Sequence, residues 1–300
     1  MTHPAFAVDT TKVVYWGAIS QRAWHLSGVG AGREGVVLGS DPKGYLFAPV
    51  SLLVSEGARQ DGATFLRSVR SKKEIDWVVH VGGDMLPTPL QSPRDFHAVN
   101  DAWWRDWSTD APGTLGFFTR HQGWRFHSVR LDAAPEPTTG MDPARNLHEA
   151  YSMGLVALDP LARHLGEWDV WTNSDGANEG RVRVRNAADQ PGWPRYTMPG
   201  PGRYSLEDPS GATLPRVVDT PKILAGETLR IDTHPRHRTA RVTSAANPAG
   251  RNVWGQLGGR RWISPVPPWS TTDLVVRCSD GATSAASVRV DLTPRASRPW

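Results

Sequence analysis

Short runs rich in β-branched and aromatic residues, each closed by a turn, recur along almost the whole chain. They read KVVYWGA, EGVVL, APVSLLVSE, EIDWVVHVG, TLGFFTRH, WRFHSVRLDA, EAYSMGLVAL, EGRVRVRNA, ETLRIDTH, TARVTSA, DLVVRCS and SVRVDLT. Runs this short and this closely spaced predict strands of sandwiches or barrels, so the chain is expected to be mainly all-β. EGRVRVRNA alternates strictly. Val182 and Val184 should therefore face a core, while Arg181, Arg183 and Arg185 face water or a partner. Helical spacing is clear only in SPRDFHAVNDAWWRDW. Ser92 can cap, Pro93 suits the first helical position, and Asp95 completes a capping-box spacing. Phe96, Val99, Trp103 and Trp107 fall on one face. A shorter candidate helix spans Pro143 to Tyr151.

Three hundred residues suffice for two domains with real cores. AAPEPTTGMDP, Ala133 to Pro143, is rich in Pro, Gly and Thr and lacks apolar periodicity. The expected division is a β-barrel-like domain with one helix over 1–135, a linker over 136–145, and a β-sandwich over 146–300. QPGWPRYTMPGPGRYSLED, Gln190 to Asp208, reads as a Pro/Gly-rich crossing between strands. No run of about 18 apolar residues predicts a membrane helix. MTHPAFAVDTTK has no basic segment leading into an apolar stretch, so no signal peptide is expected. Cys278 is the sole cysteine. It excludes an intrachain disulfide and is expected to pack as a small apolar residue in or beside a strand. Residues 222–300 hold 12 of the 34 basic and 5 of the 30 acidic residues, a net of +7 that leaves −3 for the rest. The basic residues of that end alternate with apolar ones, which favours a solvated face or a protein interface over nucleic acid. Fourteen Trp residues favour recognition of some partner.

Chemical motifs are weak. GAGREG matches G-x-G-x-x-G through Gly30, Gly32 and Gly35. A dinucleotide loop needs a helix after it, to present free N–H groups to the pyrophosphate. VVLGSDPKG leaves no room for one, so the stretch reads as a loop between strands and no cofactor is expected. His234 and His237, with Asp232 close by, could ligate a metal, but THPRHR reads better as a polar hairpin end. WTNSDGANEG places Asp175, Glu179 and Asn173 near one another without the spacing of a calcium loop, and reads as an inter-strand turn. Glu167 with Asp169, or Asp106 with Asp110, could in principle serve as a glycosidase pair. Nucleophile-elbow, zincin and Walker patterns do not occur. No catalytic, cofactor or metal residue is assigned.

Three motifs in series carry a resemblance. Near the start, an aromatic strand precedes Trp24, Leu26, Gly28, Ala31, Gly32, Glu34, Gly35, Val36 and Leu38. In the middle stand Asn186, Asp189, Pro191, Trp193, Pro194 and Tyr196, then Gly200-Pro201-Gly202. Towards the end, GETLRIDTHPRHRTARV leads to GRNVWGQLGGRRWISPVPPWSTTDLVV, and the chain closes on Arg298-Pro299-Trp300. Together these resemble the distal tail and minor tail proteins of long-tailed actinobacterial phages (siphoviruses), over nearly the whole chain. His234 departs from the family, which often has an acidic residue there.

The resemblance implies a structural, non-enzymatic virion component of the tail tip, assembled in the host cytoplasm. It implies an N-terminal domain that forms a ring, typically a hexamer, and a C-terminal galectin-like β-sandwich facing outward. The ring would join the tail tube protein to the tip hub and other minor tail proteins, beside the tape measure protein, with DNA passing through the lumen. The alternative is a carbohydrate-binding protein that contacts a host surface glycan. Trp168, Trp171, Trp193 and Trp269 are the candidate contacts, for sugar or for a neighbouring subunit.

Overall fold

The computed structural model describes residues 10–138, 140–210, 212 and 214–300. Residues 1–9, where no signal peptide was expected, and Thr139 of the expected linker lie outside them. The chain forms two units, residues 1–163 with 296–300, and residues 164–295. The fold is all-β with one substantial helix.

In the first unit the elements are β1 (Lys12–Trp16), β2 (Ala23–Ser27), β3 (Val36–Leu38), β4 (Val50–Ser55), β5 (Thr64–Arg70), β6 (Lys73–Gly82), α1 (Pro93–Arg105), β7 (Gly113–Thr119), β8 (Gly123–Leu131), β9 (Glu136–Pro137), α2 (Pro143–Asn146), β10 (His148–Ala157) and β11 (Ala162–His164). The sheet runs β2-β1-β7-β8-β10-β6-β3, and β9 pairs with β10. The end strands β2 and β3 touch, so the sheet curls into a nearly closed barrel. Tyr15, Trp24, Ile75, Val79, Leu115, Phe117 and Leu155 fill it.

Helix α1 begins as its sequence dictates. Ser92 accepts from the Asp95 N–H at 3.2 Å and donates its hydroxyl to the Asp95 carboxylate at 2.8 Å, and Pro93 occupies the first turn. Phe96, Trp103 and Trp107 are buried. Trp103 meets Trp24 edge-on at 5.2 Å, while Tyr15 stacks on Trp107 at 3.9 Å. Asp106, just past the helix, accepts from the Trp24 indole N–H, the Ser20 N–H and the Ser20 hydroxyl. Its main-chain oxygen accepts from the Tyr15 hydroxyl. A side chain on Gly17 would meet that carboxyl at 2.3 Å, so only glycine fits there.

The second unit contains β12 (Glu167–Thr172), β13 (Glu179–Asn186), β14 (Arg195–Pro199), β15 (Arg203–Glu207), β16 (Val217–Asp219), β17 (Glu227–Asp232), β18 (Thr239–Ser244), β19 (Arg251–Asn252), β20 (Ser270–Ser279) and β21 (Ser287–Leu292), with β22 (Arg295–Ala296) at its end. One sheet runs β12-β21-β14-β17-β18-β19 and the other β13-β20-β15-β16. Val182, Val184, Tyr196, Leu206, Leu229, Val276 and Val290 build one core from both sheets, the arrangement of a sandwich. Arg181, Arg183 and Arg185 are exposed, as the alternation in β13 requires. Cys278 is buried in β20.

Three expectations are corrected. The unit boundary falls after Arg163, beyond the linker expected at 136–145, because β10 pairs along its whole length with β6 and β9 pairs with β10. The helix expected over 143–151 stops at Asn146, where Leu147 adopts a left-handed backbone and β10 begins. Gln190–Asp208 is more than a crossing: β14 lies between β21 and β17, and β15 between β20 and β16.

Candidate assembly and binding surfaces

Among the described residues, strands β4 and β5 pair only with each other. Every residue of both is exposed, although VSLLVS and TFLRSVR are apolar-rich. Leu52 is 63% exposed and Phe65 60%, with Val50, Val54, Leu66 and Val69 open beside them. The register places Leu52 opposite Ser68, and Leu53 opposite Arg67, on alternate faces. Apolar side chains therefore occupy both faces. An isolated two-stranded hairpin is marginal in water, and exposed apolar surface of this kind marks an interaction site.

The root of the hairpin is fixed. Lys73, fully buried at the start of β6, donates from Nζ to the Tyr45 carbonyl at 3.2 Å and the Leu46 carbonyl at 3.5 Å. The same Nζ lies 3.4 Å from His127 Nε2. One ammonium thus ties the segment entering the hairpin to the strand leaving it. Burial pushes Lys73 down to about 8. Burial, then the nearby Lys73 charge, pushes His127 down to about 3, so His127 is neutral and can accept at Nε2. Beside this root, Trp300 lies 5.2 Å from Tyr45 and 5.5 Å from Phe117, and Arg125 donates to the Arg298 carbonyl at 2.8 Å.

In the second unit a groove of about 460 Å³ runs between edge strands β12 and β13. Glu167, Trp168, Asp169, Arg181, Arg183, Arg185 and Asp273 contribute its polar and aromatic lining. The Arg183 N–H donates to Asp169 at 2.7 Å, and the Arg183 side chain pairs with Asp273 at 2.8 Å. Trp168 is 64% exposed. The Arg289 guanidinium lies over its ring at 4.9 Å and is itself held by Asp291 at 2.7 to 3.0 Å.

The other candidate tryptophans lie outside this lining. Trp171 packs against the core, its indole edge filling the place a side chain on Gly180 would need. Trp193 is half-buried, 6.2 Å from the His234 ring. Trp269 is 65% exposed, with a left-handed backbone and its N–H on the Ala188 carbonyl. His234 and His237 stack at 5.2 Å across the turn joining β17 and β18, a hairpin end. Asn173 and Asp175 stabilise the β12–β13 turn by bonding Asn178 and the Ala177 N–H. The Asp106 and Asp110 pair divides: Asp106 is buried as described, and Asp110 is exposed.

GAGREG runs from β2 to β3 with no helix after it. Glu34 in this loop accepts from the His25 N–H and meets His25 Nδ1, each at 2.9 Å. Side chains on Gly32 and Gly35 would strike Pro87 and Val99. The loop lacks the helix terminus that pyrophosphate binding needs.

No protein-family profile matches the chain, and no curated protein matches it in sequence. Solved structures do match in fold. The SPP1 Dit (gp 19.1) protein, described as a paradigm of the hub adsorption apparatus in phages infecting Gram-positive bacteria, aligns with a TM-score of 0.60 and 12% identity, over 96% of this chain and 99% of that one. A chain of the phage P2 baseplate, in its activated conformation with Ca, aligns at TM-score 0.51 and 8% identity over 95% and 98%. The same baseplate with Sr gives 0.50 and 9% over 94% and 98%. At these identities the likeness is one of fold, and it extends over nearly the whole chain.

Proposed function

We propose that this chain is a structural, non-enzymatic component of a phage tail tip. Copies assemble into a closed ring that joins the tail tube to the tip hub and its minor tail proteins, beside the tape measure protein. The β4–β5 hairpin is the observation that carries assembly. Its apolar faces need a cover, and a second copy of the chain supplies one. A hairpin docking on a different surface of its neighbour makes a head-to-tail contact, which closes into a ring when the rotation permits. Whole-length fold likeness to phage Dit supports placing that ring at the tail tip, and the sequence resemblance supports a hexamer. On this reading the second unit is the outward galectin-like sandwich.

Light scattering and negative-stain microscopy of the full chain test the proposal. The expected particle is a multi-subunit ring with a central hole. The double substitution Leu52→Asp and Phe65→Asp should reduce it to a monomer with an unchanged circular dichroism spectrum. Rings that survive this pair would remove the hairpin from the interface. A wild-type chain that stays monomeric at every concentration would overturn self-assembly.

A further inference from the structure

The six-stranded sheet of the second unit turns one face to its core, and the register sorts the side chains. Tyr196, Leu229, Ile231, Ala240, Val242 and Val290 are buried on the inner face. One outward rung therefore runs Arg289, Thr197, Arg230, Arg241 and Asn252 across β21, β14, β17, β18 and β19. It holds three arginines and no carboxylate. Arg230 and Arg241 stand directly opposite one another, a like-charge placement that destabilises a sheet. The next rung, Asp291, Arg195, Asp232 and Thr239, is mixed in charge. Asp291 pairs with Arg289, and Glu227 with Arg251 on β19. Among the described residues no carboxylate pairs with Arg230 or Arg241.

At this edge of the sheet lies a pocket of about 380 Å³, lined by Arg238, Thr239, Arg241, Asn252, Trp254 and Arg261. Thr239, Arg241 and Asn252 share the outward face by register. Arg238 stands just before β18, and Arg261 follows the 3₁₀ turn Trp254–Leu257. Arg241 spends one N–H on the Ala249 carbonyl at 2.8 Å and keeps its other donors. Arg238 Nε is buried without an acceptor among the described residues. A ligand oxygen there would remove the cost of an unmade hydrogen bond.

Three guanidinium groups without a carboxylate in the lining call for an anion. The guanidinium fork matches the oxygens of carboxylate and phosphate. A carboxylate offers two oxygens. A phosphate monoester offers three, with a charge of about −1.5 to −2 at pH 7, and so answers three arginines at once. A nucleic-acid strand needs a basic track and aromatic rings for its bases. Here the neighbouring rung sets Asp232 and Asp291 beside the arginines, and Trp254 packs against the core. The volume lies within the range of roughly 300–1,000 Å³ usual for small-molecule sites.

We propose that this pocket binds a phosphate monoester, its oxygens held by Arg238, Arg241 and Arg261, with Arg230 adding to the positive field. The proposal does not rest on ring assembly.

The test is calorimetric titration of the full chain, at fixed ionic strength, with inorganic phosphate, glucose 6-phosphate, glucose and a single-stranded oligodeoxynucleotide. Both phosphates should bind at one site per chain, and glucose should not bind. Tighter binding of glucose 6-phosphate would show that the pocket also reads the carrier, and equal binding that it reads phosphate alone; both support the site. Arg241→Gln and Arg261→Gln should each weaken phosphate binding roughly tenfold or more, as loss of a charge-assisted hydrogen bond does, with unchanged circular dichroism. Arg181→Gln, an exposed arginine of the other sheet, should bind like the wild type. The Leu52→Asp, Phe65→Asp variant should also bind phosphate whatever its oligomeric mass, which separates this proposal from the assembly reading. Failure to bind either phosphate, affinity unchanged in both pocket variants, or equal weakening in Arg181→Gln would each overturn it. So would an oligonucleotide that displaces glucose 6-phosphate and binds more tightly, because the face would then be a nucleic-acid surface.

Discussion

Lys73 buries an ammonium group with two carbonyls and a neutral imidazole around it. Its folded pKa lies at about 8, below the ordinary 10.5. Between those values the unfolded chain holds a proton that the folded chain has released, so this group makes stability rise with pH there. Below about 8 both states are protonated, and the cost of burying the charge is present in full. His127 follows the same sign at lower pH, because burial depresses it from 6.5 to about 3. Its contribution to stability is lost as pH falls from 6.5 towards 3. In urea titrations from pH 8 to 10, the wild type should gain stability relative to Lys73→Met, by at most roughly 1.4 kcal/mol per pH unit. Parallel profiles for the two proteins would show that Lys73 stays protonated. Neither residue was legible as special in sequence, since LysLysGlu and PheHisSer are ordinary strand text and burial comes from distant elements. The motif residues were legible, and they are structural. Asn186 donates to the Gln190, Val266 and Pro267 carbonyls, and Tyr196 lies in the second core beside Trp262. A signature shared across a family can record a fold's internal joints, with its binding surfaces left free to vary.

Helix α1 shows where periodicity suffices. Ser92, Pro93 and Asp95 mark its start, and the spacing of Phe96, Trp103 and Trp107 marks the face that turns inward. Trp103 is fully buried among Tyr15, Trp24, Trp104 and Trp107. Trp103→Ala should therefore cost about 3–5 kcal/mol of stability, as large-to-small changes in aromatic cores do. Thermal or urea unfolding measures it, and a change below about 1 kcal/mol would mean that the helix face is not core. The hairpin shows where the same reasoning fails. APVSLLVSE reads as a strand, and β4 is one, but apolar residues are assigned to a core by default. Nothing local says that these residues stay exposed, as they do in β4. Its partner TFLRSVR was missed because Arg67 and Arg70 interrupt the apolar run. β12 and β14 were missed for a related reason: each is short, and Pro, Gly or charged residues flank it. The groove beside Trp168 was legible only in part: Glu167, Trp168 and Asp169 stood out as candidates, but their meeting with β13 did not. The groove is made by two strand edges that share no ladder, and no sequence pattern reports a missing pairing.

At the scale of the molecule, the linear charge split does not survive folding. The chain closes on the first unit, which takes Arg298 with it, and the boundary lies well before residue 222. The first unit carries 17 basic and 17 acidic residues, and the second 17 and 13, so they are neutral and +4. The strands of the hairpin proposed to join subunits expose mainly Leu, Val and Phe, with Arg67 and Arg70 as their charges, and the loop between them adds Glu56, Arg59 and Asp61. Apolar burial should therefore dominate association, with charge steering secondary. Salt separates the two. Screening shortens the reach of exposed charges from about 10 Å at 0.1 M to about 3 Å at 1 M, while exclusion of apolar surface from water persists. Sedimentation of the full chain across that range should give particles of constant mass. Dissociation at high salt would assign the contact to Arg67, Arg70 and acidic partners on the neighbouring copy, and would make charge, rather than the hairpin's apolar faces, the basis of assembly.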